Sequence, residues 1–146
     1  MRVNTLIPTV RMSERRKAAY FFCGAVPGIL FASFRLKDLY DDPSLLVIVA
    51  PSVMYVVGVL LVLGGATTVS VRKFGVAAAL MAVGGCQWTW EMVDYFRHFD
   101  DIRAAGRANA FGAFFRILFL MAILVAVNAV YRSVSALASN NRWSGP

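Results

Sequence analysis

The sequence predicts an all-α, polytopic membrane protein with four transmembrane helices, short loops and both termini on the same side of the membrane. Two observations lead to this fold class. Of the 146 residues, 59% are hydrophobic and 16% are charged, whereas about a quarter of the residues in a soluble domain are charged. The apolar residues are also gathered into four stretches, each close to the ~20 residues that a helix needs to cross a bilayer.

The predicted spans account for most of the chain. They cover residues 18–34, 45–71, 74–96 and 110–131. A helix rises ~1.5 Å per residue and the hydrocarbon core is ~30 Å thick, so the first span is only just long enough. Helices are expected because the stretches lack the polar alternation of a transmembrane barrel. The predicted organisation is a basic N-terminal segment (1–17), a four-helix transmembrane domain (18–131) and a polar C-terminal tail (132–146).

The first span follows a basic stretch, a pattern also found in secretory signal peptides and mitochondrial targeting sequences. A cleavage site of small residues is not visible after it, because Phe34, Arg35 and Leu36 occupy that position. We therefore expect an uncleaved transmembrane helix. An uncleaved mitochondrial address and a plain cytoplasmic flank remain open for the N-terminal segment.

Prolines mark the start of the second span and a bend in each of the first two. Asp42 followed by Pro43 predicts an N-cap and a first-turn proline, both of which favour helix entry. Pro27 and Pro51 lie inside spans one and two, where each removes a backbone hydrogen bond and should bend its helix.

Small residues spaced four apart predict the faces on which the helices pack. Such spacing lets two helix backbones approach closely in a membrane. The predicted packing residues are Gly24, Gly28, Gly75, Ala79, Ala122 and Ala126.

The distribution of basic residues predicts the orientation. Nine lie in the N-terminal segment, the turn after span two and the C-terminal tail, whereas five lie in the two loops on the other side. Basic residues are enriched on the cytoplasmic side of membrane proteins. Both termini should therefore face the cytoplasm, or the mitochondrial matrix as its topological equivalent.

The same basic residues predict contacts with anionic phospholipids, among them cardiolipin in a mitochondrial membrane, because the net charge of +7 belongs mostly to one face. The predicted headgroup-binding residues are Arg11, Arg15, Arg16, Lys17, Arg72, Lys73 and Arg132. Nucleic acid is not expected as a partner, since these residues flank membrane spans and no base-stacking module is visible.

A polar stripe enters the membrane at the end of span three. Gln87, Glu91, Asp94 and His98 follow helical spacing and share one face. Glu91 and Arg116 should lie at a similar depth on adjacent antiparallel helices, ~7 Å below the interface. Since an unpaired charge there is costly, we predict an intramembrane ion pair between Glu91 and Arg116, with Asp94 as a competing acceptor.

Catalytic or metal-binding motifs are not apparent. A di-iron bundle needs four carboxylates and two histidines, whereas the chain has one histidine. Cys23 and Cys86 lie in different spans and do not form a CxxC pair. The tryptophans at 88 and 90 are expected in an aromatic belt at headgroup level. We predict neither a cofactor nor an enzymatic activity.

Two functions of different class are consistent with these features. The first is a non-catalytic accessory subunit of a larger membrane complex, which contributes assembly, helix packing and lipid contacts with other membrane subunits as partners. Twelve arginines against three lysines and the basic N-terminus suit a subunit of ATP synthase or a respiratory-chain complex in the mitochondrial inner membrane. A bacterial inner membrane, with both termini in the cytoplasm, is the alternative location. The alternative is a small oligomeric transporter or channel that uses the charges of Glu91 and Arg116.

Overall fold

The computed structural model describes residues 8–65, 67–106 and 110–141, most of them in helices. Six α-helices and two short strands occur in this part of the chain. The helices are α1 (Glu14–Tyr20), α2 (Val26–Asp41), α3 (Leu46–Leu63), α4 (Val71–Arg97), α5 (Phe99–Ala104) and α6 (Ala110–Asn141). The strands are β1 (Thr9–Arg11) and β2 (Thr68–Ser70). Residues 1–7 and 142–146, parts of the predicted N-terminal segment and C-terminal tail, lie outside the described residues.

Helices α1 and α2 are joined by a π-helical turn, Phe21–Ala25, into one helical element from Glu14 to Asp41. Pro27 lies two residues after the last residue of this turn. A proline cannot donate to the carbonyl four residues earlier and its ring crowds that carbonyl, which favours a wider turn there. The irregularity predicted near Pro27 is thus present as a π-turn. Around Pro51, in contrast, α3 continues without interruption.

Three helices are long and apolar enough to cross a membrane: Glu14–Asp41, Pro43–Leu63 and Gly112–Asn140. The predicted third span is also a helix, α4, and its 27 residues correspond to ~40 Å. It carries two glycines and a glutamine near its middle, which lower its average hydropathy. By length and composition, three of the four predicted spans therefore qualify.

Several helix boundaries differ from those predicted. The first helical element begins before residue 18 and continues past residue 34 to Asp41. Helix α3 ends at Leu63, because Gly64 and Gly65 follow and the chain then turns into β2. Helix α6 extends ten residues beyond 131 to Asn141, so the first part of the predicted polar tail is helical.

The N-terminal segment is tied to the loop between α3 and α4 by an antiparallel pair of strands. Val10 lies opposite Val69 in this pair, and Met12 N donates to Thr67 O at 2.8 Å. Arg132 on α6 reaches the same place, with Nη1 3.9 Å from Met12 Sδ. We call this the basic end of the bundle. The described parts of both terminal regions lie there.

Helices α3 and α4 pack antiparallel at very short range. A Cβ added to Gly84 would lie 2.5 Å from Tyr55 Cβ, and one added to Gly58 would lie 2.7 Å from Ala77 O. Any side chain at either position would force the helices apart. Glycine therefore permits this approach, which in turn positions Tyr55 at the centre of the bundle.

The predicted packing residues divide into two groups. Gly24, Gly28, Ala122 and Ala126 are buried between helices, and a Cβ at Gly28 would lie 2.9 Å from the ring of Tyr55. Gly75 is half-buried and Ala79 is exposed. The close contacts at Gly58, Gly84 and Gly85 were not predicted.

Aromatic rings fill the middle of the bundle. Tyr55 and Trp88 have ring centroids 4.4 Å apart, and Phe31 stacks on Phe119 at 3.8 Å. The buried polar atoms of Tyr55 and Trp88 both have hydrogen-bond partners. Tyr55 OH donates to Ala122 O at 3.0 Å, and Trp88 Nε1 donates to Ser52 Oγ at 3.3 Å. Trp88 is thus a core residue, and its predicted place in an aromatic belt is wrong.

Candidate functional site

Charged and polar side chains meet at the end of the bundle opposite to the basic end. Helix α2 contributes Arg35, α4 contributes Gln87, Glu91 and Tyr95, and α6 contributes Arg116. We call these five residues the polar cluster. We call this end of the bundle the mixed-charge end, because Asp38 and Asp41 lie close to Arg35 along α2.

An ion pair between Arg35 and Glu91 forms the centre of the polar cluster. Arg35 Nη2 lies 2.7 Å from Glu91 Oε1, and the two side chains are 33% and 25% exposed. Gln87 Nε2 donates to the same carboxylate oxygen at 3.3 Å and to Ile48 O at 3.0 Å. A short contact in a partly dehydrated place is stronger than an exposed surface pair. The pair therefore links α2 to α4, and Gln87 links both to α3.

Arg116 has a different partner. Its guanidinium carbon lies 3.4 Å from the centre of the Tyr95 ring, a cation–π contact between α6 and α4. Asp94, the predicted competing acceptor, is exposed, and its Oδ1 lies 3.4 Å from Nδ1 of His98. Glu91, Arg116 and Asp94 thus lie at one end of the bundle, but each contacts a partner other than the one predicted.

The partner predicted for Glu91 needs correction from Arg116 to Arg35. The first span was predicted to end at residue 34, which placed Arg35 in a loop. Helix α2 instead continues to Asp41, and this brings Arg35 to the level of Glu91. A signal for this existed, since no glycine or proline lies between Gly28 and Pro43 to end the helix earlier.

The chemical capacity of the polar cluster is limited by its pairing. The Glu91 carboxylate is engaged by Arg35 and Gln87, and the Arg116 guanidinium lies against an aromatic ring. Within residues 8–65, 67–106 and 110–141, no group of three metal-ligating side chains is close enough to hold a metal ion. The arrangement is suited to holding four helices, α2, α3, α4 and α6, in register.

The seven predicted headgroup-binding residues lie together at the basic end. Arg11 belongs to β1, Arg15, Arg16 and Lys17 to the first turns of α1, Arg72 and Lys73 to the first turn of α4, and Arg132 to α6. Lys17 Nζ lies 3.7 Å from Glu14 Oε1, and Arg132 Nη2 donates to Arg11 O at 3.5 Å. The basic end therefore presents a concentrated positive charge.

None of the protein-family models, curated proteins or solved structures compared with this chain matches it. A function therefore has to be inferred from the geometry of the bundle itself: its packed centre, its polar cluster and its basic end.

Proposed function

We propose that this chain is a non-catalytic structural subunit of a larger membrane protein complex. The observation that carries the proposal is the combination of a closed interior with an apolar exterior. The centre is filled by Tyr55, Trp88 and neighbouring aromatic rings, whereas Phe22 and Val47 are 66% and 81% exposed. An exterior of this kind is stable against acyl chains or against the helices of other subunits.

The proposal includes four membrane crossings, with both termini on the same side. Helix α4 is long enough to cross, and it packs against both α3 and α6. Because much of its surface contacts protein, it needs fewer strongly apolar residues than a helix that faces lipid. The basic end, with its excess of arginine and lysine, would face the cytoplasm or the matrix.

A transporter or channel, the alternative function, has less support. A path through a single bundle would need polar groups along its centre, yet the central polar atoms of Ser52, Tyr55 and Trp88 are used in hydrogen bonds within the bundle. The charges of Glu91 and Arg116, which were expected to line such a path, are each engaged by a neighbouring side chain.

For the host membrane, the mitochondrial inner membrane remains the proposal, with ATP synthase or a respiratory-chain complex as the assembly. Its support is the abundance of arginine in the sequence. Fractionation of cells that express a tagged chain tests this part directly, because the tag should follow inner-membrane markers. Recovery with other membranes would contradict the compartment without affecting the proposed structural role.

Native gel electrophoresis after extraction in a mild detergent tests the structural role. We expect the chain to migrate with an assembly many times its own 16.0 kDa, and to remain there after a second native separation. Migration as a monomer or small homo-oligomer would contradict the proposal. Proton or solute flux through liposomes containing the purified chain alone would support the transporter instead.

Single-cysteine labelling in sealed vesicles tests the four crossings. Cys23 and Cys86 are first replaced by serine, and one cysteine is then introduced by Ser13→Cys, Ser44→Cys or Ser139→Cys. A membrane-impermeant thiol reagent should label positions 13 and 139 from one side and position 44 from the other. Labelling of positions 13 and 139 from opposite sides would rule out an even number of crossings.

A further inference from the structure

A groove opens at the basic end between the last turns of α3, strand β2 and the first turns of α4. Its volume is about 980 Å³. Arg72, Lys73 and Ser70 lie at its rim, whereas Leu60, Leu61 and Val76 provide apolar walls. The groove thus combines positive charge with hydrophobic surface at one level of the bundle.

The charge in this groove is not neutralised by the protein. Arg72 and Lys73 are both exposed, and within the described part of the chain neither has a carboxylate within 4.0 Å. The lining residues include no acid. A second groove at this end, beside Arg11 and Arg16, contains Glu14. The N-terminus of α4 adds partial positive charge to the first groove.

The apolar walls continue away from the charged rim. Leu60, Leu61 and Val76 are each about half exposed, and the exposed Val57 and Val83 lie one to two turns further along α3 and α4. Helical spacing places Val57 and Leu61 on one face of α3, and Val76 and Val83 on one face of α4. A hydrophobic strip therefore runs from the rim toward the middle of the bundle.

We propose that this groove binds an anionic glycerophospholipid. Its phosphate lies between Arg72 and Lys73, and one acyl chain follows the strip formed by Leu61, Val76 and their neighbours. Cations above an apolar strip match the order of charge and hydrocarbon in a phospholipid. A free phosphate would leave the apolar walls exposed to water, and a zwitterionic lipid would place its own cation beside the arginine. The inference depends on the proposed membrane location but not on the identity of the complex.

The proposal is tested on the full-length chain purified in a mild detergent. Native mass spectrometry measures the binding of phosphatidylglycerol and of phosphatidylcholine with the same acyl chains, and inorganic phosphate is tested as a competitor. The charge variant is Arg72→Gln with Lys73→Gln. The matched control is Arg97→Gln with Arg103→Gln, which removes two exposed basic residues near the mixed-charge end.

We expect the native chain to prefer phosphatidylglycerol, and the charge variant to bind it about thirty-fold more weakly, since each basic residue near an anionic lipid contributes about a five-fold factor. The control variant should keep the native affinity. Equal losses in both variants, or no loss in either, would overturn the proposal, as would displacement of the lipid by millimolar phosphate.

A variant of the apolar walls separates a lipid site from a simple anion site. Leu61→Gln should lower the affinity for phosphatidylglycerol about five-fold, because it removes contact with the acyl chain. Leu124→Gln, at an exposed position on α6, should leave the affinity unchanged. An unchanged affinity in Leu61→Gln would overturn the acyl-chain part of the proposal.

Circular dichroism checks that all variants retain their helices. Comigration of the chain with a large assembly is measured independently, so failure here leaves the structural role standing.

Discussion

At the basic end, strands β1 and β2 join the N-terminal segment to the loop between α3 and α4 through backbone hydrogen bonds, whereas at the mixed-charge end the helices are joined through charged side chains. Backbone pairing makes no use of basic side chains, and those of Arg11 in β1 and of Arg72 and Lys73 in α4 are exposed. At the mixed-charge end, the charges of Arg35 and Glu91 are paired with each other and are not available to other molecules. The basic end is therefore suited to contact other molecules, and the mixed-charge end to hold helices in register.

The largest expected effect concerns the basic end. Met12 is almost fully buried beneath Arg132, so Met12→Ala should lower the free energy of unfolding by about 2–5 kcal/mol. Unfolding of the purified chain in mixed detergent micelles measures this. The control is Ser13→Ala at the adjacent exposed position, where the side chain makes no capping hydrogen bond. Similar values for both variants would mean that the buried side chain of Met12 contributes little to the stability of this end.

A double-mutant cycle tests the ion pair at the mixed-charge end. Arg35→Gln and Glu91→Gln should show a coupling energy of about 1–2 kcal/mol, between the values of exposed and buried pairs, because the two side chains are partly exposed. The cycle of Arg116→Gln with Glu91→Gln should show much weaker coupling. If the coupling energy between Arg116 and Glu91 were larger than that between Arg35 and Glu91, Arg116 would be the partner of Glu91.

A smaller effect is expected at Tyr95. Its ring lies beneath the guanidinium of Arg116, so Tyr95→Leu should cost about 0.5–1 kcal/mol of stability. Tyr95→Phe keeps the ring, and it removes a hydroxyl that is buried without a hydrogen-bond partner within the described residues. It should therefore leave stability unchanged or raise it slightly. If the phenylalanine variant lost as much as the leucine variant, the ring would not be the group that matters.

The smallest effect concerns the pH dependence of the cap before α3. Hydrogen bonds from the Ser44 hydroxyl and from Ser44 N hold the pKa of the Asp42 carboxyl below its usual value. The second of these joins Ser44 N to Asp42 Oδ1 at 2.9 Å. The cap therefore contributes its full stability at pH values above the pKa that Asp42 has in the unfolded chain. This contribution is lost as the pH falls through the lower pKa that Asp42 has in the folded chain.

Unfolding measured at several acidic pH values tests this contribution. In Asp42→Asn, the loss of stability on acidification should be slightly smaller than in the native chain. Asp41→Asn serves as the control, since it removes a neighbouring charge but leaves the cap. An identical acid response in the native chain and Asp42→Asn would contradict the role of this carboxylate.

The helical class of the fold could be predicted from the sequence because hydropathy records directly which segments avoid water. The cap at Asp42 was predictable for a related reason, as the Asp–Pro pair acts through local geometry. Helix ends such as Asp41 and Asn141 were missed because polar residues outside the apolar stretch can still be helical. Composition therefore indicates which part of a helix is apolar enough to contact lipid, but it does not indicate at which residue the helix ends.

The pairing of charges and the closest helix contacts could not be predicted in the same way. Whether Glu91 meets Arg35 or Arg116 depends on how three helices are rotated and on where α2 ends, neither of which a hydropathy pattern records. Gly84 and Gly85 stand next to each other, so they did not fit the spacing of four that was used to find packing faces. The role of Gly84 becomes evident only when Tyr55 of α3 is placed opposite it, and that of Gly85 only when Ala126 of α6 is placed opposite it.

The pairing of β1 with β2 also has a consequence for biosynthesis. Strand β1 leaves the ribosome first, but its partner is made only after the whole of α3. Until then, the N-terminal backbone must satisfy its amides with water or with another protein. The first helix can therefore form early, whereas its position relative to α3 and α4 is fixed only after β2 has been made and paired with β1.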